Sequence, residues 1–296
     1  MRSFRARSFG TSYATTAMVR KKTLAIVGAG RAGRELGRRL AGCGWRVGAV
    51  VTRSPATARA AVRAIGAGKP CSRLVPEALD AALILVATPD DAIASVAREL
   101  AKLHRSSLAR RVVLHASGAL GSEALAPLAR RGAAVGSFHP MQTFARSAAA
   151  SRPASLEGIT IAIEGQRAAR RLAARLAREL GGLPIVMDRR SKAAYHAAGA
   201  FASPHLLALL EAGVCLLESA GFHRRQALGA LLPLARQTLE NYRQLGPRGA
   251  WTGPVARGDQ ATIRLHEREL KKWPAEYLAA YRALTRLQTK LLGMRK

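Results

Sequence analysis

Aromatic side chains make up only 5% of this 296-residue chain, and its 18 acidic residues face 48 lysines and arginines. A core must therefore come from Ala, Leu and Val; the 49% hydrophobic content supplies it, in a chain long enough for one large domain or two ordinary ones. Cys43, Cys71 and Cys215 stand alone without a CxxC spacing, which excludes a disulfide framework or zinc knuckle and fits a reducing cytoplasm. The seven histidines form neither HExxH nor a tight cluster, so no metal site is expected. The most apolar stretch, 193–221, is interrupted by His196, His205, Glu211 and Glu218, which predicts a buried helix rather than a membrane span.

The formal net charge of +30 raises the question of nucleic acid, because Lys and Arg displace counterions from phosphates. The basic residues, however, are mostly Arg, spread along the whole chain without a long block. They read as solvated helix faces, and no specific nucleic-acid partner is expected, although anionic ligands would be drawn to such a surface. Residues 1–22 are rich in Arg, Ser and Thr and hold no acid. They read as a disordered extension, with a transit-like peptide as the alternative, and Met18 would make a sensible start.

From Thr23 the pattern is strand, glycine turn, helix, strand. Leu24–Val27 and Val47–Val51 read as strands, with helices over Arg34–Ala41 and Pro55–Ile65. Leu83–Ala87 is a continuous apolar strand of the kind buried in a parallel sheet, followed by a helix to about Leu103. Val112–His115 and Ala133–Phe138 supply two more strands around a helix near Glu123–Arg130. Ser147–Ser155 is the best linker candidate. Beyond it come Ile159–Ile163, a helix over Ala168–Leu180, and Ile185–Met187. From Lys192 the chain reads as helical, with breaks at Gly221, Gly246-Pro247 and Trp251–Gly258.

Gly28-Ala29-Gly30-Arg31-Ala32-Gly33 matches GxGxxG, directly after a strand and opening a helix, the context its mechanics require. Gly28 permits the tight turn, Gly30 lets the backbone approach a pyrophosphate, and Gly33 lets helix pack on strand. The helix N-terminus offers free N–H groups and a positive dipole end. The expected fold is thus α/β: a doubly wound parallel Rossmann sheet over 23–155, then a mainly helical substrate and dimerisation domain over 156–296. At the end of the second strand, where NAD-binding folds usually carry an acid, stands Thr52-Arg53-Ser54. Arg53 can grip a 2′-phosphate that a carboxylate would repel, and Ser54 before Pro55 caps a helix beside it, so NADP(H) is the expected cofactor.

Ligands of open α/β sheets sit beyond the carboxyl ends of the strands. Thr88-Pro89-Asp90 is expected there, near the nicotinamide, with His115-Ala116-Ser117-Gly118 and Phe138-His139-Pro140-Met141-Gln142-Thr143. His139 is the candidate acid/base group, Ser117 would orient the same oxygen, Gln142 would contact substrate, and His115 reads as a packed strand-end residue. Tyr195-His196 and Ser203 fall on one helix face, with His196 assigned to the chemistry and Ser203 to substrate. In the loop Thr252–Asp259, Arg257 is the candidate anchor for an anionic substrate group and Asp259 caps the next helix.

The segments GAGRAG, VATPDDAI, HASGALGSEAL, GSFHPMQTF, YHAAGAFAS and TGPVARGD together resemble Rossmann-like proteins carrying the C-terminal domain of unknown function 2520. The resemblance implies a nucleotide domain followed by a helical dimerisation domain, as in the wider 6-phosphogluconate-dehydrogenase-like group. That group includes ketopantoate reductase, pyrroline-5-carboxylate reductase and prephenate dehydrogenase. His139-Pro140-Met141 is similar to the HPM segment of prephenate dehydrogenases, whose His assists hydride transfer. The Lys–Asn pair of β-hydroxyacid dehydrogenases has no match; His196 and Ser203 occupy that neighbourhood, with Pro204 beside them. The expected function is an NADP-dependent oxidoreductase acting on a small carbonyl, imine or hydroxyl compound, cytoplasmic, homodimeric and off the membrane. Its site would lie between the carboxyl edge of the sheet and the helical domain. The alternative is a nucleotide-sensing protein without turnover.

Overall fold

The computed structural model describes residues 22–103, 107–144 and 155–293; all but Lys22 of the expected N-terminal extension and most of the Ser147–Ser155 linker lie outside them. The chain divides into two compact units, residues up to Ala200 and Phe201–Lys296.

The first unit is built on one eight-stranded sheet. In chain order it holds β1 (Thr23–Val27), α1 (Arg31–Gly42), β2 (Arg46–Val51), α2 (Pro55–Ile65), β3 (Lys69–Cys71), β4 (Leu83–Val86), α3 (Asp90–Leu103) and β5 (Val112–His115). Then follow α4 (Ala126–Ala129), β6 (Ala134–Pro140), β7 (Thr160–Gly165), α5 (Arg167–Glu179), β8 (Leu183–Val186) and the start of α6 (Lys192–Ala202). The strand order is β3-β2-β1-β4-β5-β6-β7-β8, parallel except that β7 runs antiparallel to β6. Alternate side chains serve two cores: Leu24 and Ile26 of β1 pack with Leu36, Ile65 and Leu172 from α1, α2 and α5. Ala25 and Val27 pack with Ile93, Leu100 and Leu128 from α3 and α4 on the other face.

The elements fall close to where the pattern put them; β3 is the exception, three residues of KPC on the sheet edge with no apolar run to betray them. The sheet continues past the expected linker. The linker at Ser147–Ser155 does not divide the fold, because β7, α5 and β8 continue the same sheet and core. Glu179 near the end of α5 accepts hydrogen bonds from Trp45 Nε1 at 3.0 Å and Lys22 Nζ at 3.3 Å, tying the late segment to the first. The first unit therefore runs some way past residue 155, to Ala200.

The second unit is helical: α7 (Pro204–Ser219), α8 (Arg224–Ala250), α9 (Pro254–Arg257), α10 (Gln260–Leu270) and α11 (Ala275–Gly293). The expected break at Gly246-Pro247 is a kink inside α8, with Gly246 at φ +65°. Asp259 caps α10, accepting from Thr262 N at 3.0 Å and Thr262 Oγ1 at 2.7 Å. The apolar stretch is helical as expected but is not buried within the chain. Arg189–Ser219 is long and apolar enough to cross a membrane by length and composition, and 6% of its most apolar window is buried.

If β7, α5 and β8 share one cooperative core with the nucleotide half, Leu176→Ala, which empties a site 1% exposed, should cost about 2–5 kcal/mol. Urea unfolding followed by Trp45 fluorescence would register it as a shifted midpoint; an unshifted Trp45 transition would separate the two halves.

Candidate active site

The strand order reverses between β1 and β4, and a crevice opens at such a switch beyond the carboxyl ends. Gly28 sits there at φ +87°, and a Cβ on it would lie 2.6 Å from Thr88 N and 2.7 Å from the Ala87 carbonyl carbon. A Cβ on Gly33 would strike the Gly28 carbonyl oxygen, so the turn and α1 close only with glycine at both positions. Gly30 faces open space and caps α1 without a side-chain hydrogen bond, and the first turn holds no acid. Ala29 is buried beneath the turn; Arg31 and Ala32 open the helix, Arg31 reaching the Phe144 carbonyl at 3.4 Å. The mouth of α1 thus presents unneutralised N–H groups beside a bare glycine, which fits a diphosphate. Thr88 Oγ1, across the switch, is buried without a hydrogen-bond partner among the described residues.

At the end of β2, Ser54 caps α2, its Oγ accepting from Thr57 N at 3.3 Å. Arg53 beside it is exposed, and no ion pair among the described residues uses its guanidinium. A free fork at a helix N-terminus with no carboxylate suits a phosphate monoester.

The loop after β5 is knitted from inside. Ser117 N donates to His115 Nδ1 at 3.2 Å, so the proton of that neutral ring is on Nε2, which donates to the Gly121 carbonyl at 3.0 Å. Burial first, then Lys192, pushes His115 down to about 4. His115 is the packed strand-end residue expected. Ser117 takes a different part from the expected one. Its Oγ donates to Asp90 Oδ2 at 2.7 Å and accepts from Ala119 N at 3.1 Å and Leu120 N at 2.9 Å. That exhausts a hydroxyl, so Ser117 shapes the loop and tethers α3 instead of orienting a substrate oxygen.

His139 stands at the end of β6 with Nδ1 3.1 Å from Tyr195 Oη, while that hydroxyl donates to the His139 carbonyl at 3.3 Å. Tyr195 has one proton, so both contacts form together only when the ring proton is on Nδ1, leaving Nε2 a lone pair. Burial pushes the Tyr195 phenol up to about 12 and keeps it protonated. Burial, followed by His196 and Lys192, pushes His139 down to about 4, with Asp90 opposing. His196 crosses His139 edge to face, ring centroids 5.9 Å apart at 74°. Between them lies Gly118, where a Cβ would sit 2.7 Å from His196 Cδ2 and 2.8 Å from His139 Nε2.

The structure thus gathers Gly28, Thr88, Asp90, Ser117, His139 and His196 along one sheet edge. Pro89 leads into α3 beside Asp90, and Ala92 N bonds to its carbonyl at 3.0 Å. Gln142 spends its amide within its own loop, donating to the Ser155 carbonyl at 3.1 Å and accepting from Thr143 N at 2.8 Å. Ser203 and Arg257 belong to the second unit, Ser203 as the non-helical residue before α7 and Arg257 as the exposed end of α9. Tyr195 was legible as a neighbour of His196, but its hold on the imidazole was not. Lys192 was missed entirely, because one lysine among so many cations carries no signal.

A model of a Rossmann-like domain matches residues 11–140, and a model of a domain of unknown function, DUF2520, matches residues 159–288. The chain pairs a Rossmann-like domain with DUF2520. This is the pairing to which the signature segments pointed. Among curated proteins, none matches this Rossmann–DUF2520 chain. It is similar to a solved Bacteroides fragilis protein described as an NADP oxidoreductase, at 22% identity and TM-score 0.74, covering 91% of this chain and 98% of that one. A Thermotoga maritima protein gives 25% identity and TM-score 0.66, covering 92% of this chain and 100% of that one. A reductive aminase from Aspergillus terreus, solved with NADPH and ethyl levulinate, gives 17% identity and TM-score 0.66, covering 93% and 100%. At these identities the likenesses show a shared fold.

His115 and His139 resist protonation in the folded chain, whereas unfolded imidazoles take protons near 6.5. Between those values the unfolded chain binds more protons, so stability is complete above pH 6.5 and falls as the pH drops toward 4. Each ring accounts for roughly 3 kcal/mol. His139→Phe should remove roughly half of this dependence. Urea midpoints that stay level from pH 6.5 to 4 in the native chain would contradict buried neutral rings.

Proposed function

We propose that this chain is an NADP-dependent oxidoreductase, moving a hydride between NADP(H) and a small carbonyl, imine or hydroxyl compound. One observation carries the reading: an acid-free helix mouth at the sheet's switch point shares its edge with an imidazole whose Nε2 is unbonded among the described residues. The B. fragilis and A. terreus proteins support it through what they are described as or were solved with.

Residues 28–33 would hold the diphosphate on backbone N–H groups, with Arg53 and the α2 terminus at Ser54 on the 2′-phosphate. Bound NADPH would supply the hydride. Thr88 Oγ1 would gain a partner at the nicotinamide end. His139 would manage the proton: uncharged at neutral pH, its Nε2 would take the proton of a hydroxyl as NADP+ takes the hydride from its carbon. It would return that proton when NADPH reduces the carbonyl, or accept a hydrogen bond from a protonated imine whose carbon receives the hydride. Tyr195 fixes the tautomer, and His196 beside it would contact substrate. Ser203 and Arg257 are the second unit's candidate substrate contacts.

A second copy of the chain is the proposed partner. Leu207, Leu234 and Leu245 of the helical unit are 65%, 63% and 60% exposed, an apolar cost that a homodimer would remove. The same surface accounts for the exposed stretch Arg189–Ser219 without a membrane, with the cytoplasm as the proposed compartment.

Calorimetry with both coenzymes tests the reading. The native chain should bind NADPH at least tenfold more tightly than NADH, and Arg53→Asp should cost NADPH about 10–100-fold while sparing NADH. Equal affinities, or no heat with either coenzyme, would overturn it. NADPH consumption across a panel of keto acids, imines and aldehydes separates an enzyme from a sensor, and His139→Asn should lower kcat by about 10²–10⁴ with NADPH affinity kept.

A further inference from the structure

Lys192 opens α6 with no exposed surface, the one buried lysine or arginine among the described residues. An ammonium leaves water only when something in the interior holds it. Its Nζ donates to Ser137 Oγ at 2.8 Å and to the Ser117 carbonyl at 3.2 Å. Ser137 lies inside β6, and Ser117 in the loop after β5, so a single cation staples neighbouring strands at the edge where His139 stands. Ser137 and His139 are two residues apart on β6 and share a face, which sets the ammonium on the order of 7 Å from the imidazole. The nearby carboxylates are committed elsewhere: Glu164 accepts from Ser122 N at 2.7 Å and Ser122 Oγ at 2.8 Å, and Asp90 holds Ser117 Oγ. Among the described residues Lys192 makes no ion pair, so its charge is balanced only at one remove and its field reaches the ring.

We infer that Lys192 is a positioning residue for the reaction at His139: it locks the β5 and β6 strand ends together and sets the field in which that imidazole works. The inference rests on the proposed role of His139. Sealed from solvent, the amine does not itself exchange protons with substrate. The groups facing His139 are Tyr195, His196 and Lys192 from α6, Asp90 from α3 and His115 at the end of β5. Burial is the largest reason the ring resists protonation; His196 and then Lys192 add to it, and Asp90 opposes.

The experiment is a histidine-selective NMR titration of the full-length native chain and three variants, with NADPH calorimetry and steady-state kinetics on each. Lys192→Gln keeps a donor but removes the charge. The His139 midpoint should rise by about half a unit to one unit. kcat should fall about tenfold or more, with KM and the NADPH Kd held within about twofold. Lys192→Arg, which keeps the charge, should bring the midpoint back toward the native value. Ser137→Ala, which removes an acceptor and no charge, should leave the midpoint in place and lower kcat about threefold or more. A His139 midpoint unmoved in folded Lys192→Gln overturns the inference. If that variant does not fold, an unchanged kcat in Ser137→Ala overturns it instead. A native chain that binds no coenzyme and turns nothing over defeats the functional reading, whereas the titration still decides whether Lys192 sets the field at His139.

Discussion

The first unit depends on a backbone-to-backbone approach: the Gly28 turn against Ala87 and Thr88 at the ends of β1 and β4. A Cβ there would sit inside van der Waals contact with peptide atoms that cannot rotate away, and one on Gly33 would meet the Gly28 carbonyl. With both absent, α1 starts directly above the switch in strand order, and its N–H groups point past the strand ends. The same approach brings the helix mouth and Thr88 to one crevice, and the parallel sheet carries the edge on to His115 and His139. Fold and site therefore share a single steric condition.

That condition was written in the sequence because glycine spacing is a local code: LAIV followed by GAGRAG can be read without knowing anything distant. The helix at Pro55–Ile65 was equally local, with Ser54 at its cap, proline at its first position and Gly66 in the left-handed conformation past its end. Strands with four or more apolar residues in a row were legible too; KPC was not, because an edge strand needs no apolar run. The continuity of the sheet across the linker was hidden for a related reason. A Ser/Ala/Pro/Arg stretch marks a place where the chain leaves the core, and composition does not say that it returns to the same sheet as β7.

The site was half legible. His139 and His196 could be named from their positions after a strand and on a helix, but the partners that define their chemistry lie 50 or more residues away. Ser117 shows how such distance reverses a reading. A serine after an apolar strand looks available for substrate, yet Asp90 and two backbone amides exhaust its hydroxyl. Lys192 shows the converse, a surface-type residue drawn inside by two acceptors, one on β6 and one in the loop after β5. Neither outcome follows from residue type; both follow from which strand ends the topology makes neighbours.

Saturation of the surrounding polar groups is what singles out His139. His115 has both ring nitrogens engaged, Glu164 is held by Ser122, and Ser117 has no lone pair to spare. The Nδ1 of His139 is tied to Tyr195, whose own proton is fixed on the His139 carbonyl. Among the described residues Nε2 has no hydrogen bond, and it faces the one point in the loop after β5 where a missing side chain, that of Gly118, leaves it and His196 room. The half-buried imidazole is thus fixed on one side, and on the other it presents a nitrogen that is unbonded among the described residues. Burial of the rest of the ring keeps that nitrogen uncharged at neutral pH, on the same sheet edge as the acid-free mouth of α1.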